Sequence, residues 1–430
     1  MAKNFDIDDL KELLSDDDEL KTFKETDDGN VTNWIPTLIP NFDRNLIGGV
    51  PISGQISEIM GAKSSGKSTF AASIIRNGLK MNIFPVYFDI EKTEGWVRLE
   101  QLGVDPDKVL TLRNKINADK TVKPVSIEDV GQKIIDIGAK IHKAQPDAFV
   151  LYIWDSIAYS QSEADAEADT HVKSVASAPK ALNIVARKIS ANLVENNGGL
   201  LAFNQARVDM NAPMPKFATV KTTGGEGWSH ALSLRILLKT GSKIKRVESD
   251  KEAIGHLTWV KVPKSKIGDN SDYSIQVALI GKWGFDVEYN ILLEGQDLGL
   301  ISKTRPKYVD PETGEELVSG KNKLDFVMNL KKPENADAER ELWQAIVKQV
   351  FPNIYPALFN TKAIMYEDKF PLIKGLRKYY INIQQNLPYA EQGDNYKLFV
   401  EYYRKHPLPD KLKQEFEEQG VDLFGETESN

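Results

Sequence analysis

The sequence predicts an α/β fold built on a largely parallel central sheet, and three observations predict it. Short apolar runs alternate with helical stretches from Thr32 to about Lys282, the pattern of repeated strand–helix units. Residues 61–68 read Gly-Ala-Lys-Ser-Ser-Gly-Lys-Ser, a complete G-x-x-x-x-G-K-[ST] phosphate loop set between a strand-like stretch and a helical one. Several strand candidates, Phe149–Asp155 among them, are apolar almost throughout, as strands covered on both faces must be.

The elements follow in order. Residues 1–31 make an acidic N-terminal segment with one short amphipathic helix candidate, Ile7–Leu14; the segment is a candidate protomer contact. Residues 32–282 hold the α/β core. Strands are expected at Gln55–Met60, Phe84–Ile90, Val109–Arg113, Phe149–Asp155, Leu200–Gln205, Leu234–Thr240, His256–Lys264 and Tyr273–Ile280. Helices are expected at Ser68–Leu79, Ile127–Ala144 and Ser177–Glu195. The last strands follow one another with no helix between them, which predicts an antiparallel extension of the sheet. Residues 283–430 read as a small, mostly helical C-terminal domain with an acidic tail. It begins with a mixed stretch carrying a hairpin turn at Asp310-Pro311-Glu312-Thr313-Gly314. Helices at Leu342–Phe351, Leu372–Tyr380 and Tyr396–Tyr403 follow, interrupted by Pro352, Pro356, Pro388 and Pro407.

Composition narrows the function classes. With 430 residues and 41% hydrophobic side chains, the chain supports two or three cored domains. It has no cysteine, which excludes disulfides and thiolate metal sites and fits a reducing compartment. The N-terminus is acidic and unlike a secretory leader, and the longest apolar run, Ala148–Trp154, is too short to cross a bilayer. The expected location is the cytoplasm, with no membrane partner. The net charge of −7 is unevenly placed: removing residues 1–30 (−7) and 415–430 (−6) leaves the stretch between at +6. The plain reading is solvated termini; the sharper one is acidic ends competing with nucleic-acid phosphates for a basic core.

The phosphate loop carries the chemistry. A strand delivers the chain, glycines let backbone N–H groups close on an anion, and the following helix points its positive end at the same place. Gly61, Ala62, Lys63, Ser64, Ser65, Gly66, Lys67, Ser68 and Thr69 are the expected ATP contacts; Lys67 reaches the β- and γ-phosphates and Ser68 holds Mg²⁺. Hydrolysis needs further groups, and ligands gather at the carboxyl ends of parallel strands. Asp155 ends an apolar strand and is expected to bind Mg²⁺ through water. Glu91 follows the next strand after the phosphate-loop helix and is the expected base or water orienter. Gln205 ends a third strand, where an amide exchanges hydrogen bonds with the γ-phosphate and moves the loop behind it when ATP becomes ADP.

These strand ends together resemble the bacterial RecA recombinase family, and more closely the UvsX-type recombinases of tailed phages. The likeness covers roughly residues 32–325. It rests on Ile35-Pro36-Thr37-Leu38-Ile39-Pro40-Asn41-Phe42-Asp43 leading to Gly48-Gly49-Val50-Pro51, on Asp89-Ile90-Glu91, and on Gly103-Val104-Asp105-Pro106. It continues through Asn204-Gln205-Ala206-Arg207, Thr222-Thr223-Gly224-Gly225 and Lys261-Val262-Pro263-Lys264-Ser265-Lys266-Ile267. The turn at Asp310–Gly314 is similar to the phage branch. The resemblance implies a RecA-like P-loop ATPase core, helical self-assembly on single-stranded DNA, and pairing with double-stranded DNA. It also implies single-strand-binding and mediator proteins as partners and, for a phage product, the cytoplasm of a bacterial host. It makes Glu91 the catalytic glutamate and Gln205 the γ-phosphate sensor. Lys264 and Lys266, two apart and so on one strand face, are by the resemblance the residues that reach the neighbouring protomer's ATP; a basic edge strand that discourages aggregation is the other reading. Three positions depart from the bacterial pattern: Glu226 replaces asparagine, Arg98 stands where an adenine-stacking tyrosine is expected, and His230 replaces a phenylalanine that communicates across subunits. Trp96 or Arg98 is then the candidate for stacking on adenine.

Two segments beside the strand ends, Ala158–Lys173 and Arg207–Gly227, read as lacking regular structure. The second mixes Arg207, Lys216 and Lys221 with Met210, Met214 and Phe217, which suits backbone contact and insertion between bases. Gly224 and Gly225 admit close approach of phosphate, and Thr222 and Thr223 add hydroxyl donors. Lys180 and Arg187 lie two helical turns apart and share a side; the resemblance makes them phosphate contacts. None of these groups reads base edges, so sequence-independent binding is expected. Two rival functions remain: a ring-shaped replicative helicase on a similar core, and a non-catalytic ATP-binding protein that coats DNA.

Overall fold

In the computed structural model, residues 34–350 are described, apart from 46–48, 92–94, 113–114, 117–121, 168–176, 209–219, 246–251, 268–272, 282–283 and 305–306. The helix candidates Ile7–Leu14, Leu372–Tyr380 and Tyr396–Tyr403, and both charged ends, lie outside the described residues.

A nine-stranded mixed sheet organises the molecule. Its parallel part holds β1 (Ile56–Gly61), β2 (Phe84–Asp89), β3 (Leu110–Thr111), β4 (Val150–Asp155), β5 (Gly198–Gln205) and β6 (Leu234–Ile244). From β6 the order across the parallel part is β6-β1-β5-β4-β2-β3. Beyond β6, β7 (Gly255–Ser265), β8 (Tyr273–Ile280) and β9 (Gly284–Phe285) continue as antiparallel neighbours, the extension expected from the missing helices.

Alternation along the strands sorts side chains onto two faces. Ile59, Ile153, Leu201, Phe203 and Ile236 face α2 (Lys67–Lys80), which follows the short α1 (Pro40–Asn45), and Ile56, Tyr152, Leu200 and Ala202 face α4 (Ile127–Ala144) and α5 (Ser177–Glu195). Both α4 and α5 fill the ranges read from the sequence. Ser126 starts α4 with a reciprocal capping box: its hydroxyl accepts from the Asp129 N–H at 3.0 Å, and the Asp129 carboxylate accepts from the Ser126 N–H at 3.2 Å. Gly131, one turn in, lies where a Cβ would stand 2.6 Å from Val185, so glycine lets the two helices approach.

Two stretches expected to be irregular are partly ordered. Within 158–173, Glu163–Glu167 form a short helix whose entry is tied by the Ser162 hydroxyl to Asp165. Within 207–227, Arg207–Val208 pair with Val220–Lys221, and α6 (Gly225–Ala231) begins directly after. The glycine pair there starts a helix: Gly224 sits at φ 116°, a cap conformation open to glycine.

Past the sheet, α7 (Val287–Asp297), α8 (Lys323–Leu330) and α9 (Ala336–Val350) enclose a third core with Tyr308, Phe326 and Trp343 fully buried. Three short antiparallel strands, Ser302–Thr304, Lys307–Val309 and Glu316–Val318, add β structure to a region read as mostly helical. The expected turn joins the last two, with the Gly314 N–H donating to the Asp310 carbonyl at 2.8 Å. Ala278 and Ile280 of β8 belong to this same core, and β9 lies beyond position 282, so sheet and core both continue across the boundary expected there. Among the described residues no helix is long and apolar enough to cross a membrane.

Candidate functional site

The carboxyl ends of β1, β2, β4 and β5 open into one cleft of about 610 Å³. Lys63, Ser64, Gly66, Lys67, Ser68, Thr69, Glu91, Asp155 and Gln205 all line it, with Tyr159 and Leu279. Groups scattered over 140 residues of sequence therefore converge where parallel strands end.

The loop between β1 and α2 has the geometry of an anion cradle. Gly66 caps α2 at φ 98°, and Ser64 also lies in the left-handed region at φ 61°. A Cβ on Gly61 would stand 2.3 Å from Ser65 Oγ and 2.7 Å from the Leu238 carbonyl, so the loop needs glycine to fold over itself. The helix starts with no side-chain cap and no acid in its first turn. Its first N–H groups are thus left for a ligand, beside the positive end of the dipole. Lys67 bends back meanwhile, donating to the Gly61 and Ala62 carbonyls at 3.1 and 3.0 Å. Burial lowers its pKa, while Asp155 and Glu91 pull it up. A bound polyphosphate fits this donor set: loop N–H groups, an ammonium and a hydroxyl.

The acids are held, not loose. Asp155 is buried beside Asp89 across β4 and β2, and accepts from the Tyr87 hydroxyl at 2.8 Å. Its carbonyl takes the Ile90 N–H at 2.7 Å and the Glu91 N–H at 3.3 Å, which fixes where Glu91 begins. The Ser156 hydroxyl donates to the Glu91 carboxylate. Among the described residues no cluster of three metal-ligating side chains exists. Ser68 and Asp155 both line the cleft and are the side chains that could hold a divalent cation there, with ligand oxygens completing its shell. Gln205 lies exposed at the end of β5, in register with Gly61, where an amide faces whatever the loop holds.

Other expected contacts sit elsewhere. Arg98, on α3 (Trp96–Gln101), donates to the Gly281 carbonyl at 2.7 Å and does not line the cleft; Trp96 starts the same short helix. Lys180 and Arg187 are exposed along α5, with Ile184 between them 47% exposed. The α6 helix packs on the first turns of α5, Gly225 near Pro179 and Gly227 against Asn183. Arg207 and Lys221 are register partners in the short strand pair that flanks residues 209–219. Lys216 lies outside the described residues. Glu226 is exposed in the first turn of α6, where an acid complements the helix dipole.

Lys264 and Lys266 reach the carboxyl end of α6. Lys264 Nζ donates to the Ser229 carbonyl at 2.5 Å and Lys266 Nζ to the His230 carbonyl at 2.7 Å. Burial lowers the Lys264 pKa, and the like charges of Lys266 and Arg235 lower it further. Two cations at a helix carboxyl end are satisfied electrostatically without any ligand.

Sequence reading missed a buried polar cluster beneath this helix. Glu58 has no exposed surface. It accepts from Asn204 Nδ2 at 2.8 Å and Trp228 Nε1 at 3.0 Å, and pairs with Arg235 Nε at 2.6 Å. The available signal was an ionised residue inside the apolar run Ile56–Met60, since a charge buried on both sides of a sheet demands partners. Tyr159 and Leu279, which line the cleft, and Tyr87 and Ser156, which hold its two acids, were also missed; only the assembled sheet brings them to these places.

A family model described as the RecA N-terminal domain matches residues 37–280. The chain is 26% identical to Protein RecA of Legionella pneumophila (strain Corby) over 322 residues, which spans 75% of this chain and 84% of that one. It is 30% identical to Protein RecA of Ruminococcus albus over 273 residues, 63% of this chain and 62% of the relative. It is 27% identical to Protein RecA of Mycobacteroides abscessus over 307 residues, 71% and 80% of the two chains.

Proposed function

The chain belongs to the RecA family, and on that premise we propose that it is a DNA-stimulated ATPase that assembles on single-stranded DNA and promotes strand exchange with a homologous duplex. The observation that carries this reading is the single cleft in which the phosphate loop, Glu91, Asp155 and Gln205 meet. A structural or transport role for the loop does not account for a held carboxylate and an exposed amide at neighbouring strand ends.

Each residue has a part in the chemistry. The loop N–H groups and Lys67 bind the β- and γ-phosphates, for which the ammonium leaves the Gly61 and Ala62 carbonyls. Glu91, oriented by Ser156, positions a water in line with the γ-phosphorus and takes its proton; the bond to the β-phosphate oxygen breaks and ADP leaves. Ser68, and Asp155 through water, would hold Mg²⁺, which would supply positive charge to offset that of the phosphate oxygens. Gln205 reports the γ-phosphate to the loop that starts at Arg207. Arg98, fixed to Gly281, serves as a planar support for adenine, with Trp96 the other candidate.

The DNA face combines the exposed stripe of α5, with Lys180 and Arg187, and the loop ending at Thr222, Thr223, Gly224 and Gly225, with Arg207, Lys216 and Lys221. Lys264 and Lys266 serve the nucleotide of the next protomer. That contact joins unlike surfaces and does not close, so repetition gives a helix. Within the family, the Asp310–Gly314 hairpin supports a place near the UvsX-type phage recombinases, with single-strand-binding and mediator proteins as partners.

The test is Glu91→Gln, assayed for ATP turnover with and without single-stranded DNA and imaged by electron microscopy. The variant is expected to bind ATP and form open helical filaments while turnover falls at least a hundredfold. Undiminished turnover refutes the role of Glu91. Closed rings on DNA favour the helicase reading, and a wild type whose turnover ignores DNA favours the coating protein.

A further inference from the structure

Three strands bring their buried polar side chains to one point under α6. Register places Glu58 of β1 opposite Ala202 of β5 and opposite Arg235 of β6. Two residues on, Asn204 of β5 lies on the same face as Ala202. This face belongs to the core that also holds Trp228 of α6. The result is a carboxylate with three donors: an amide, an indole and a guanidinium.

Asn204 does more than satisfy Glu58. Its Nδ2 also donates to the Thr223 carbonyl at 2.7 Å, and its Oδ1 accepts from the Thr223 N–H at 3.3 Å and from the Gln205 N–H at 2.9 Å. The amide orientation is fixed by its surroundings: the NH2 group faces two oxygens, and the oxygen faces two N–H groups. Both backbone groups of Thr223 are held by one fully buried side chain. The neighbours of Thr223 are held by the same cluster. Arg235 Nη2 reaches the Thr222 hydroxyl at 3.5 Å, and Gly224 sits so close to the Trp228 ring that a Cβ would stand 3.0 Å from it.

We propose that Asn204 is the positioning residue that couples nucleotide state to DNA affinity, tying the backbone of Gln205 to Thr223 with Glu58 as its anchor. The inference rests on the proposed function: Gln205 meets the γ-phosphate and the Thr222–Gly225 segment meets DNA. A shift of the β5 terminus at Gln205 changes the hydrogen bond to Asn204 Oδ1, and the same amide bonds Thr223. The link is short, buried and made of directional bonds, so a displacement at one end is not absorbed by solvent. Glu58 matters because it fixes the amide: with its carboxylate in place, Nδ2 cannot turn away from Thr223.

The experiment compares wild type, Asn204→Asp and Asn204→Ser. Asn204→Asp keeps the acceptor for Thr223 and Gln205 but loses both donated bonds. Asn204→Ser removes the clamp without adding a buried charge, and decides the matter if the first variant does not fold. Two affinities are measured by fluorescence anisotropy: that for a labelled oligothymidylate with a slowly hydrolysed ATP analogue, and the same with ADP. Affinity for a fluorescent ATP analogue without DNA is measured alongside. The expected result is that the ATP-to-ADP ratio of DNA affinities falls about tenfold or more, a typical allosteric coupling, while nucleotide affinity stays within a factor of about three. A merely structural role lowers both DNA affinities alike and leaves their ratio intact; that outcome overturns the proposal. If wild type itself shows no dependence of DNA affinity on nucleotide, the functional reading falls and this role falls with it. If wild type shows the dependence and folded variants keep it, only the role of Asn204 is lost.

Discussion

Replacing Arg235 with leucine leaves the Glu58 carboxylate buried and without its countercharge. The side chain of Glu58 is 0% exposed and that of Arg235 15%, with Nε and Oε2 at 2.6 Å. With an effective dielectric constant near 20, the pair attraction is about 6 kcal/mol, part of which offsets the cost of desolvating both ions. Removing one partner of a buried pair typically costs about 3–5 kcal/mol. The donors on Glu58 Oε1, Asn204 and Trp228, soften the loss, so the low end, about 3 kcal/mol, is expected. That is a large share of the roughly 5–15 kcal/mol by which domains exceed their unfolded chains. Urea unfolding followed by tryptophan fluorescence is a direct assay, because Trp228 touches the carboxylate. Glu58→Gln added to Arg235→Leu should recover part of the loss by removing the unpaired charge. The control is Glu334→Ala: its pair with Lys332 spans 3.9 Å between side chains 69% and 53% exposed, so a loss below about 1 kcal/mol is expected. An Arg235→Leu loss under about 1 kcal/mol, or a double variant as unstable as the single, refutes the buried-charge argument.

Three further outcomes follow from other parts of the molecule. Gly66→Ala forces a Cβ into φ 98° and to 2.2 Å from Leu279 Cδ1. The backbone cost of about 1–2 kcal/mol corresponds to roughly 5–30-fold weaker binding of an ATP analogue, read by calorimetry; unchanged affinity refutes the cradle geometry. Glu294, 7% exposed, accepts the Asn41 N–H at 3.3 Å, and burial raises its pKa to about 8, with Asp43 and Asp297 pushing the same way. The folded chain keeps this proton after the unfolded chain has released its own, so stability declines as pH rises from about 4.5 to 8. Glu294→Gln abolishes that decline, and its melting temperature should gain on wild type steadily between pH 5 and 8; a gap independent of pH counts against the shift. Lys264→Ala with Lys266→Ala is expected to cut DNA-stimulated turnover at least tenfold while a lone protomer still binds nucleotide; normal stimulated rates return these lysines to the role of capping α6.

Much of the core was legible because its signals are local. The Ser126 capping box starts α4 where sequence places it, and the apolar run ending in Asp155 is a strand with its acid at the right end. The phosphate loop, Glu91, Asp155 and Gln205 were legible for a related reason: each sits at the end of a recognisable strand, and parallel strands end together. What stayed hidden depends on register between strands distant in sequence. Nothing near Glu58 announces Asn204, which is 146 residues away, and nothing near Lys264 announces the Ser229 carbonyl. The glycines at 224 and 225 were read as the end of a loop open to close phosphate approach; here the first supplies a left-handed N-cap and the helix begins behind it. The small sheet at 302–318 was underread because strands of three residues carry too little alternation to register as a pattern.

The lysine contacts at the end of α6 bear on how copies meet. A lone copy has already docked both ammonium groups on its own carbonyls, so a stray polyphosphate in solution encounters no bare cationic pair. If these lysines serve a neighbour's nucleotide as proposed, joining that neighbour would exchange one anchor for another, with two helix carbonyls handed back to water as the phosphate is gripped. On that reading a joint between copies would be easier to undo once its phosphate is lost, because each lysine has its own helix carbonyl to return to.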